Sequence, residues 1–98
     1  FKKMQVEIIT PEAKVFTGEA TAAQFPGLDG SFQVLNGHAP IISGLAAGTV
    51  KLDLETAYVA PEKPSKIITS ESNGKVVKVT IKGGVMEMQN NKIIVLAE

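Results

Sequence analysis

The stretch FPGLDGSFQVLNGHAP (residues 25–40) contains two glycine-rich turns with one short apolar strand between them. Its first proline cannot donate a backbone hydrogen bond, and Gly27 and Gly30 readily supply the positive φ that tight turns need. In residues 31–35 successive side chains point to opposite faces, as they do in a β-strand. Asn36-Gly37 is a strong turn dipeptide and ends this strand. The stretch therefore predicts two strands joined by a tight turn, followed by a second turn.

Short alternating or apolar segments continue along the rest of the chain. In residues 4–9, the side chains of Met4, Val6 and Ile8 fall on one face, which is the period-two pattern of a half-buried strand. The other predicted strands are residues 14–17, 19–25, 41–43, 50–54, 66–71, 75–81, 85–89 and 92–97. Since no run of a dozen residues has the 3.6-residue apolar spacing of a helix, the chain is predicted to be built from strands.

Glycine, proline and asparagine predict the connections between these strands. Gly18 is expected to turn the chain after the second strand, and residues 44–48 to form a loop or one helical turn. Residues 55–66 contain two prolines and are expected to be an exposed loop. Asn73-Gly74 lies between two β-branched runs, which predicts a hairpin over residues 66–81.

This pattern of short strands and turns places the chain in the all-β class. We expect an antiparallel β-sandwich or flattened barrel of about ten short strands, because packed sheets would bury one face of each strand. A chain of 98 residues has the size of one domain. Residues 1–98 are therefore predicted to form a single β-sandwich domain.

The composition excludes several classes of partner. Ten lysines balance ten carboxylates, and the chain has no arginine and no cysteine. No nucleic-acid partner is expected, because there is neither a net positive charge nor a bidentate guanidinium. Without cysteine there is no disulfide framework and no thiolate metal site. No segment approaches the ~20 apolar residues of a membrane-spanning helix, so the chain is expected to be soluble by itself.

The side chains that carry chemistry are sparse. His38 is the only imidazole, and the sequence places no orienting partner or nucleophile near it, so catalysis is not expected. Instead, His38 is expected to form a hydrogen bond across the loop from Gly37 to Pro40 and to fix the shape of that loop. The carboxylates are spread singly, and the glycines match no phosphate-binding motif. We therefore expect no catalytic, metal-binding or nucleotide-binding residue and no cofactor. Met86 and Met88 are interpreted as strand core, and Leu28 and Leu35 as outward apolar residues of a binding surface.

The motif Phe-Pro-Gly-x-x-Gly-x-Phe-x-Val-Leu-x-Gly-His-Ala-Pro of residues 25–40 resembles the N-terminal β domain of the epsilon subunit of bacterial F-type ATP synthase, called delta in mitochondria. Further segments follow in the family's order: residues 9–12, 15–18, 48–52, 83–88 and 95–98. The resemblance implies a non-catalytic central-stalk subunit that binds the gamma subunit and the c-ring and couples proton-driven rotation to ATP synthesis. It also implies peripheral membrane association, through the complex, at the cytoplasmic face of the bacterial inner membrane.

The family position of each residue implies two contact surfaces. The residues implied to face the gamma subunit are Gly37, His38, Ala39, Pro40 and Ile42. The residues implied to face the c-ring are Gly27, Leu28, Asp29, Gly30 and Ser31. Two residues depart from the family, because Ser31 stands where some relatives carry an acidic residue and Asn36 where they often carry proline.

Two longer differences from the family concern whole segments. Residues 55–75 are predicted to be an inserted loop and hairpin, since shorter relatives lack about this length before Gly83. Many relatives continue into two C-terminal helices that inhibit ATP hydrolysis, whereas this chain ends at Glu98 as a short form or a fragment. If Glu98 ends the full chain, helix-mediated inhibition and ATP sensing are excluded.

Two other classes of function remain as alternatives. The first is an unrelated β-sandwich adhesion or carbohydrate-binding module, and the second is a small hydrolase. Sugar-binding sandwiches usually expose aromatic platforms, whereas this chain has one tyrosine, four phenylalanines and no tryptophan. A hydrolase needs a base and nucleophile pair that the sequence does not provide.

Overall fold

Residues 3–59, 67–71 and 74–98 are described by a computed structural model of the chain. In this part of the chain there are ten strands and no helix. Numbered in chain order, the strands are β1 (Met4–Ile9), β2 (Lys14–Ala20), β3 (Ala22–Gly27), β4 (Gly30–Leu35), β5 (Ile41–Leu45), β6 (Gly48–Asp53), β7 (Ile68–Glu71), β8 (Val76–Ile81), β9 (Gly84–Gln89) and β10 (Lys92–Ala97).

All ten strands belong to one hydrogen-bonded sheet that curls into a nearly closed, flattened barrel. The strand order is β2-β1-β10-β9-β5-β3-β6-β8-β7, with β4 paired to β3, and the principal extents are 33 × 32 × 19 Å. The predicted all-β class and flattened-barrel architecture are confirmed. One pairing differs from the antiparallel prediction: β1 runs parallel to β10, with Ile8 opposite Val95. A parallel pair needs a long connection, and here the rest of the chain provides it.

The inward side chains form one apolar core. On β1, Met4, Val6 and Ile8 are fully buried, as the alternation predicted, and Val50, Leu52 and Leu54 are buried on and just after β6. Met86 and Met88 are also fully buried, which confirms their interpretation as strand core. Among the described residues, no polar or charged side chain is buried. Apolar burial is thus the main source of stability.

The prediction that Gly18 turns the chain is wrong. Gly18 lies inside β2, opposite Val6 of β1, and the strand continues to Ala20. A Cβ at Gly18 would lie 2.9 Å from Cζ of Phe16, so the absence of a side chain makes room for the Phe16 ring on the same face. The chain turns at Thr21 instead, whose backbone N–H donates to the carbonyl oxygen of Asp53.

The loop or helical turn predicted over residues 44–48 is longer than the connection that the structure shows, and no helical turn forms there. Strand β5 extends to Leu45, and β6 begins at Gly48, so the connection is only two residues long. The backbone N–H of Ala46 donates to the carbonyl oxygen of Pro26 at 2.7 Å, which holds this short connection against β3. Gly44 is a strand residue of β5.

The hairpin predicted around Asn73-Gly74 is confirmed in its paired strands, since β7 and β8 are antiparallel neighbours. Ser72 and Asn73 themselves, like residues 60–66 of the predicted exposed loop, lie outside the described residues. Within the described part of that loop, Tyr58 is half-buried against the Phe16 ring, with ring centroids 5.8 Å apart. Its backbone N–H donates to the carbonyl oxygen of Gly74 at 2.7 Å.

Candidate functional site

An exposed apolar surface covers the outside of β5, β9 and β10. Ile42 is 71% exposed, and it shares this surface with exposed Val85 and Leu96. The strand register makes the surface continuous, because Val85 lies opposite Gly44 on one side and opposite Leu96 on the other. We call Leu28, Ile42, Val85 and Leu96 the apolar face.

Leu28 reaches the apolar face from the turn between β3 and β4. Its backbone N–H donates to the carbonyl oxygen of Gly44, and its Cδ1 lies 2.7 Å from the position that a Cβ of Gly44 would take. The Leu28 side chain therefore occupies the space above Gly44, which explains a glycine inside a strand. Leu28 is still 69% exposed, and a shallow groove lies between it and Ile42.

The turn predicted to face the c-ring is built from the end of β3, two connecting residues and the start of β4. Gly27 pairs with Gly30, and a Cβ at Gly27 would lie 2.6 Å from the carbonyl oxygen of Gly30. Gly30 has a φ of +120°, which favours glycine. Asp29 and Ser31 are exposed at the tip. The tight turn thus separates its residues: Leu28 packs onto β5, while Asp29 points into solvent with no ion pair to the described residues.

The loop predicted to face the gamma subunit, residues 36–40, connects β4 to β5 and is exposed along its whole length. Gly37 has a φ of +83°, as Asn36-Gly37 predicted. The backbone N–H of His38 donates to the carbonyl oxygen of Leu35 at 3.1 Å. Nδ1 of His38 lies 2.7 Å from the carbonyl oxygen of Ala39, and because a carbonyl only accepts, the proton must sit on Nδ1. The His38 side chain therefore forms a hydrogen bond within its own loop, but to the adjacent residue and not across the loop as expected.

Asn91, in the turn between β9 and β10, also contacts this loop. Its side-chain Oδ1 accepts from the backbone N–H of Gly37, and its Nδ2 donates to Oδ1 of Asn36, each at 2.8 Å. Sequence reasoning missed this residue. The residues around Asn91 carry no local signal that their turn meets a loop 54 residues away.

The sequence predicted only two of the four residues of the apolar face. Leu28 and Ile42 were predicted as site residues, but for two different partners, and the structure brings them to one surface. Val85 and Leu96 were not predicted. The alternation of β9 contained the signal, since burying Met86 and Met88 forces Val85 and Glu87 outward.

The described residues contain no group of three or more His, Cys, Asp or Glu side chains that would hold a metal ion. No helix in this part of the chain is long and apolar enough to cross a membrane. Among the residues that the structure describes, the side chain of His38 has only a carbonyl oxygen of its own loop as a hydrogen-bond partner. What this arrangement offers is an apolar sheet face bordered by two shaped turns, which is suited to binding a protein surface.

Residues 3–60 match the family model of the ATP synthase Delta/Epsilon chain, beta-sandwich domain. The chain is 35% identical to the ATP synthase epsilon chain of Chlorobium limicola, over 99% of this chain and 91% of that protein. It is 33% identical to the ATP synthase epsilon chain of Desulforamulus reducens, of which it spans only 60%.

Solved structures share the fold. A chain in the central stalk and c-ring structure of the Tetrahymena thermophila mitochondrial ATP synthase superposes on 98% of this chain with a TM-score of 0.71 at 15% identity, and this chain covers 63% of it. A chain of the Euglena gracilis mitochondrial ATP synthase gives the same TM-score at 14% identity, with 50% of that chain covered. Epsilon chains are non-catalytic subunits. From the family model and the Chlorobium relative, the chain belongs to the family of ATP synthase delta/epsilon chains.

Proposed function

We propose that this chain is a rotor subunit in the central stalk of a proton-translocating ATP synthase, where it binds the gamma subunit and the c-ring. In this role it transmits proton-driven rotation of the ring to the gamma shaft and takes no part in bond making. It is then held at the cytoplasmic face of the bacterial inner membrane through the complex. The observation that carries the proposal is the apolar face, which leads directly into the loop of residues 36–40.

The gamma-binding surface in this proposal consists of Gly37, His38, Ala39 and Pro40 together with the apolar face. Ile42 follows Pro40 by two residues, so the loop and the face form one surface. An exposed, contiguous apolar patch on a small domain is typical of a protein interface. Glu87 is exposed on β9 opposite Ile42, and no ion pair joins it to the described residues. We therefore expect the partner to present apolar side chains and one basic group.

The c-ring surface consists of Gly27, Asp29, Gly30 and Ser31. These residues lie at the tip of the β3–β4 turn, and Asp29 is the acidic group able to contact a polar loop of the ring. Leu28 belongs to the same turn, but its side chain lies against β5, so in this proposal it contributes to the gamma surface. No observation favours the carbohydrate-binding alternative, since the exposed large apolar side chains among the described residues include no aromatic ring.

The gamma contact is tested by measuring the affinity of the chain for a gamma-containing head complex. Ile42→Glu and His38→Glu each put a charge into the proposed contact, and each should weaken binding by at least about tenfold, because an unpaired charge would be desolvated. Thr49→Glu is the matched control, since Thr49 is exposed on β6, on the other side of the barrel. All three variants should keep the denaturant midpoint. Wild-type affinity in both Ile42→Glu and His38→Glu would refute the proposed gamma surface.

The c-ring contact is tested separately, by binding of the chain to isolated c-ring in detergent. Asp29→Lys reverses the charge at the exposed tip of the turn, where the side chain has room. It should weaken c-ring binding and leave gamma binding unchanged. If Asp29→Lys binds the ring as tightly as the unaltered chain does, the turn of residues 27–31 is not the contact.

A further inference from the structure

We propose that Asn91 is a positioning residue, whose side chain holds the loop of residues 36–40 in the shape that the gamma subunit binds. This inference rests on the proposed function, because it assigns a role toward the same partner. Its structural basis is the pair of hydrogen bonds from Asn91 to Gly37 and Asn36, which join two turns that are far apart in sequence.

The orientation of the Asn91 amide follows from its partners. The backbone N–H of Gly37 can only donate, so the oxygen of the Asn91 amide must face it. The nitrogen then points to Asn36, whose side-chain oxygen accepts. Both ends of one amide are therefore satisfied by one loop.

The loop has little else to hold it. Residues 35–40 are all exposed, so no buried apolar side chain anchors them. The other described hydrogen bonds of the loop are local, from His38 to Leu35 and to Ala39. Gly37 also has the wide conformational freedom of glycine. Without Asn91 the loop would sample more shapes, and binding would have to order it at a cost in affinity.

Asn91 itself is well anchored. Its carbonyl oxygen accepts a hydrogen bond from the backbone N–H of Gln5 at 2.9 Å, which ties the β9–β10 turn to β1. Asn90 and Asn91 have φ values of +52° and +58°, a conformation that asparagine and glycine tolerate better than other residues. Asn91 is half-buried, whereas the Asn90 side chain is exposed and makes no hydrogen bond to the residues that the structure describes.

This geometry supplies a matched pair of variants. Asn91→Gly removes the side-chain amide and keeps a residue that accepts φ of +58°. Asn90→Gly makes the same chemical change one residue earlier, at φ of +52°, without touching the loop. Asn91→Asp retains an oxygen for the Gly37 N–H, and the Asn36 amide can rotate to donate to the second oxygen.

Two measurements are made on each variant: hydrogen exchange of the Gly37 amide, and affinity for the gamma-containing head complex. In Asn91→Gly we expect the Gly37 amide to exchange faster and gamma affinity to fall about tenfold, as the loss of two hydrogen bonds predicts. In Asn90→Gly both should match the unaltered chain. In Asn91→Asp the Gly37 amide should stay protected. The denaturant midpoints of the two glycine variants should agree.

Three results would overturn the inference. If Gly37 exchange is equal in Asn91→Gly and Asn90→Gly, the contact does not restrain the loop. If exchange rises in Asn91→Gly while gamma affinity stays at the wild-type value, the contact has only a local structural role. In either case Ile42→Glu still reports on the gamma surface itself. If Ile42→Glu, His38→Glu and Asn91→Gly all bind normally, the proposed gamma surface fails and this inference fails with it.

Discussion

The two outer faces of the barrel differ in polarity although their strands contribute to the same core. Across β4, β3, β6, β8 and β7, one row of paired outward residues is polar throughout, and we call it the polar face: Gln33, Gln24, Lys51, Lys78 and Thr69. Across β5, β9 and β10, one row of outward residues is Gly44, Val85 and Leu96, and it belongs to the apolar face, while the next row contains Glu87. Exposed Leu35 on β4 lies in a different row from the polar face, opposite Ala22. Since both rows alternate with buried residues, neither the folding pattern nor the core requires this difference.

The difference in polarity indicates which of the two faces is suited to binding a partner. A half-exposed antiparallel sheet normally keeps polar residues outside, as the polar face does. Exposed leucine, isoleucine and valine on a strand surface gain nothing for the isolated domain and raise the risk of association. The apolar face is therefore best explained by a partner that covers it.

Removing the apolar face should abolish tight binding and leave the fold intact. The fourfold variant is Leu28→Ser, Ile42→Thr, Val85→Thr and Leu96→Thr. Its affinity for the gamma-containing complex should fall by roughly 10²- to 10³-fold, because several apolar side chains lose their burial at once. The control replaces four outward residues across the barrel: Gln24→Thr, Gln33→Thr, Thr49→Ser and Thr69→Ser. Equal affinity of the two fourfold variants would remove the reason for treating the faces as different.

The close approach of strands beneath the apolar face should make Gly84 sensitive. Its φ is +150°, and a Cβ there would collide with the carbonyl oxygen of Leu96 and lie 3.0 Å from Cα of Ala97. Gly84→Ala should lower the free energy of unfolding by about 3 kcal/mol or more, through both strain and collision. The comparison is Gly30→Ala, at φ of +120° with no atom within 4 Å, which should cost only about 1–2 kcal/mol. Urea denaturation measures both, and equal losses would contradict the collision.

Most strands and the hairpin of β7 and β8 were predictable from sequence, but the pairing of strands that are distant along the chain was not. Alternation and turn dipeptides act within a few residues, so β1, the β7–β8 pair and the buried methionines followed from local patterns. The parallel pairing of β1 with β10 depends on how the two ends of the chain meet, which no local pattern encodes.

The predictions for single glycines also failed where the cause was a contact that local sequence patterns do not encode. Gly18 was predicted to be a turn residue. The structure shows that a glycine makes room for the Phe16 ring there, and the placement of that ring cannot be seen in the sequence. Gly44 was predicted to lie in a loop or one helical turn. It is a strand residue, and the Leu28 side chain, from a distant turn, occupies the space that a side chain at Gly44 would need. The turn at Asn36-Gly37, in which Gly37 has a positive φ, was predicted correctly because its signal is local. For the candidate site, Leu28 and Ile42 came from sequence, whereas Asn91 required the three-dimensional contact.

The Glu87 carboxylate beside the apolar face provides a smaller test. Glu87 lies opposite Ile42 on β5 and Ile94 on β10, and its carboxylate is exposed. Glu87→Gln should reduce gamma affinity by roughly two- to fivefold at low salt, as an exposed ion pair allows. Glu71→Gln on the edge strand β7 makes the same change and should leave affinity unaltered. A Glu87→Gln effect that persists in 1 M NaCl would show that the contact is not ionic.

The smallest expected effect concerns the polar face, where two lysines lie directly opposite one another. Lys51 of β6 pairs with Lys78 of β8, and Lys78 also forms an ion pair with Glu71 at 3.3 Å. Like charges at paired positions are destabilising, so Lys51→Gln should raise the free energy of unfolding by about 0.5 kcal/mol at low salt. Lys78→Gln should gain less, because it also removes the ion pair. Urea denaturation at low salt and in 1 M NaCl checks the cause, since screening should abolish the gain.

The same two lysine variants complete the comparison of the faces when their gamma affinity is measured. If the polar face is only a solvated surface, Lys51→Gln and Lys78→Gln should change stability slightly and gamma affinity not at all. If gamma affinity falls both in Lys51→Gln and in the fourfold control variant, a partner binds this side of the barrel. The apolar face would then be one of two contact surfaces, and the contrast in polarity would distinguish two kinds of partner instead of partner from solvent.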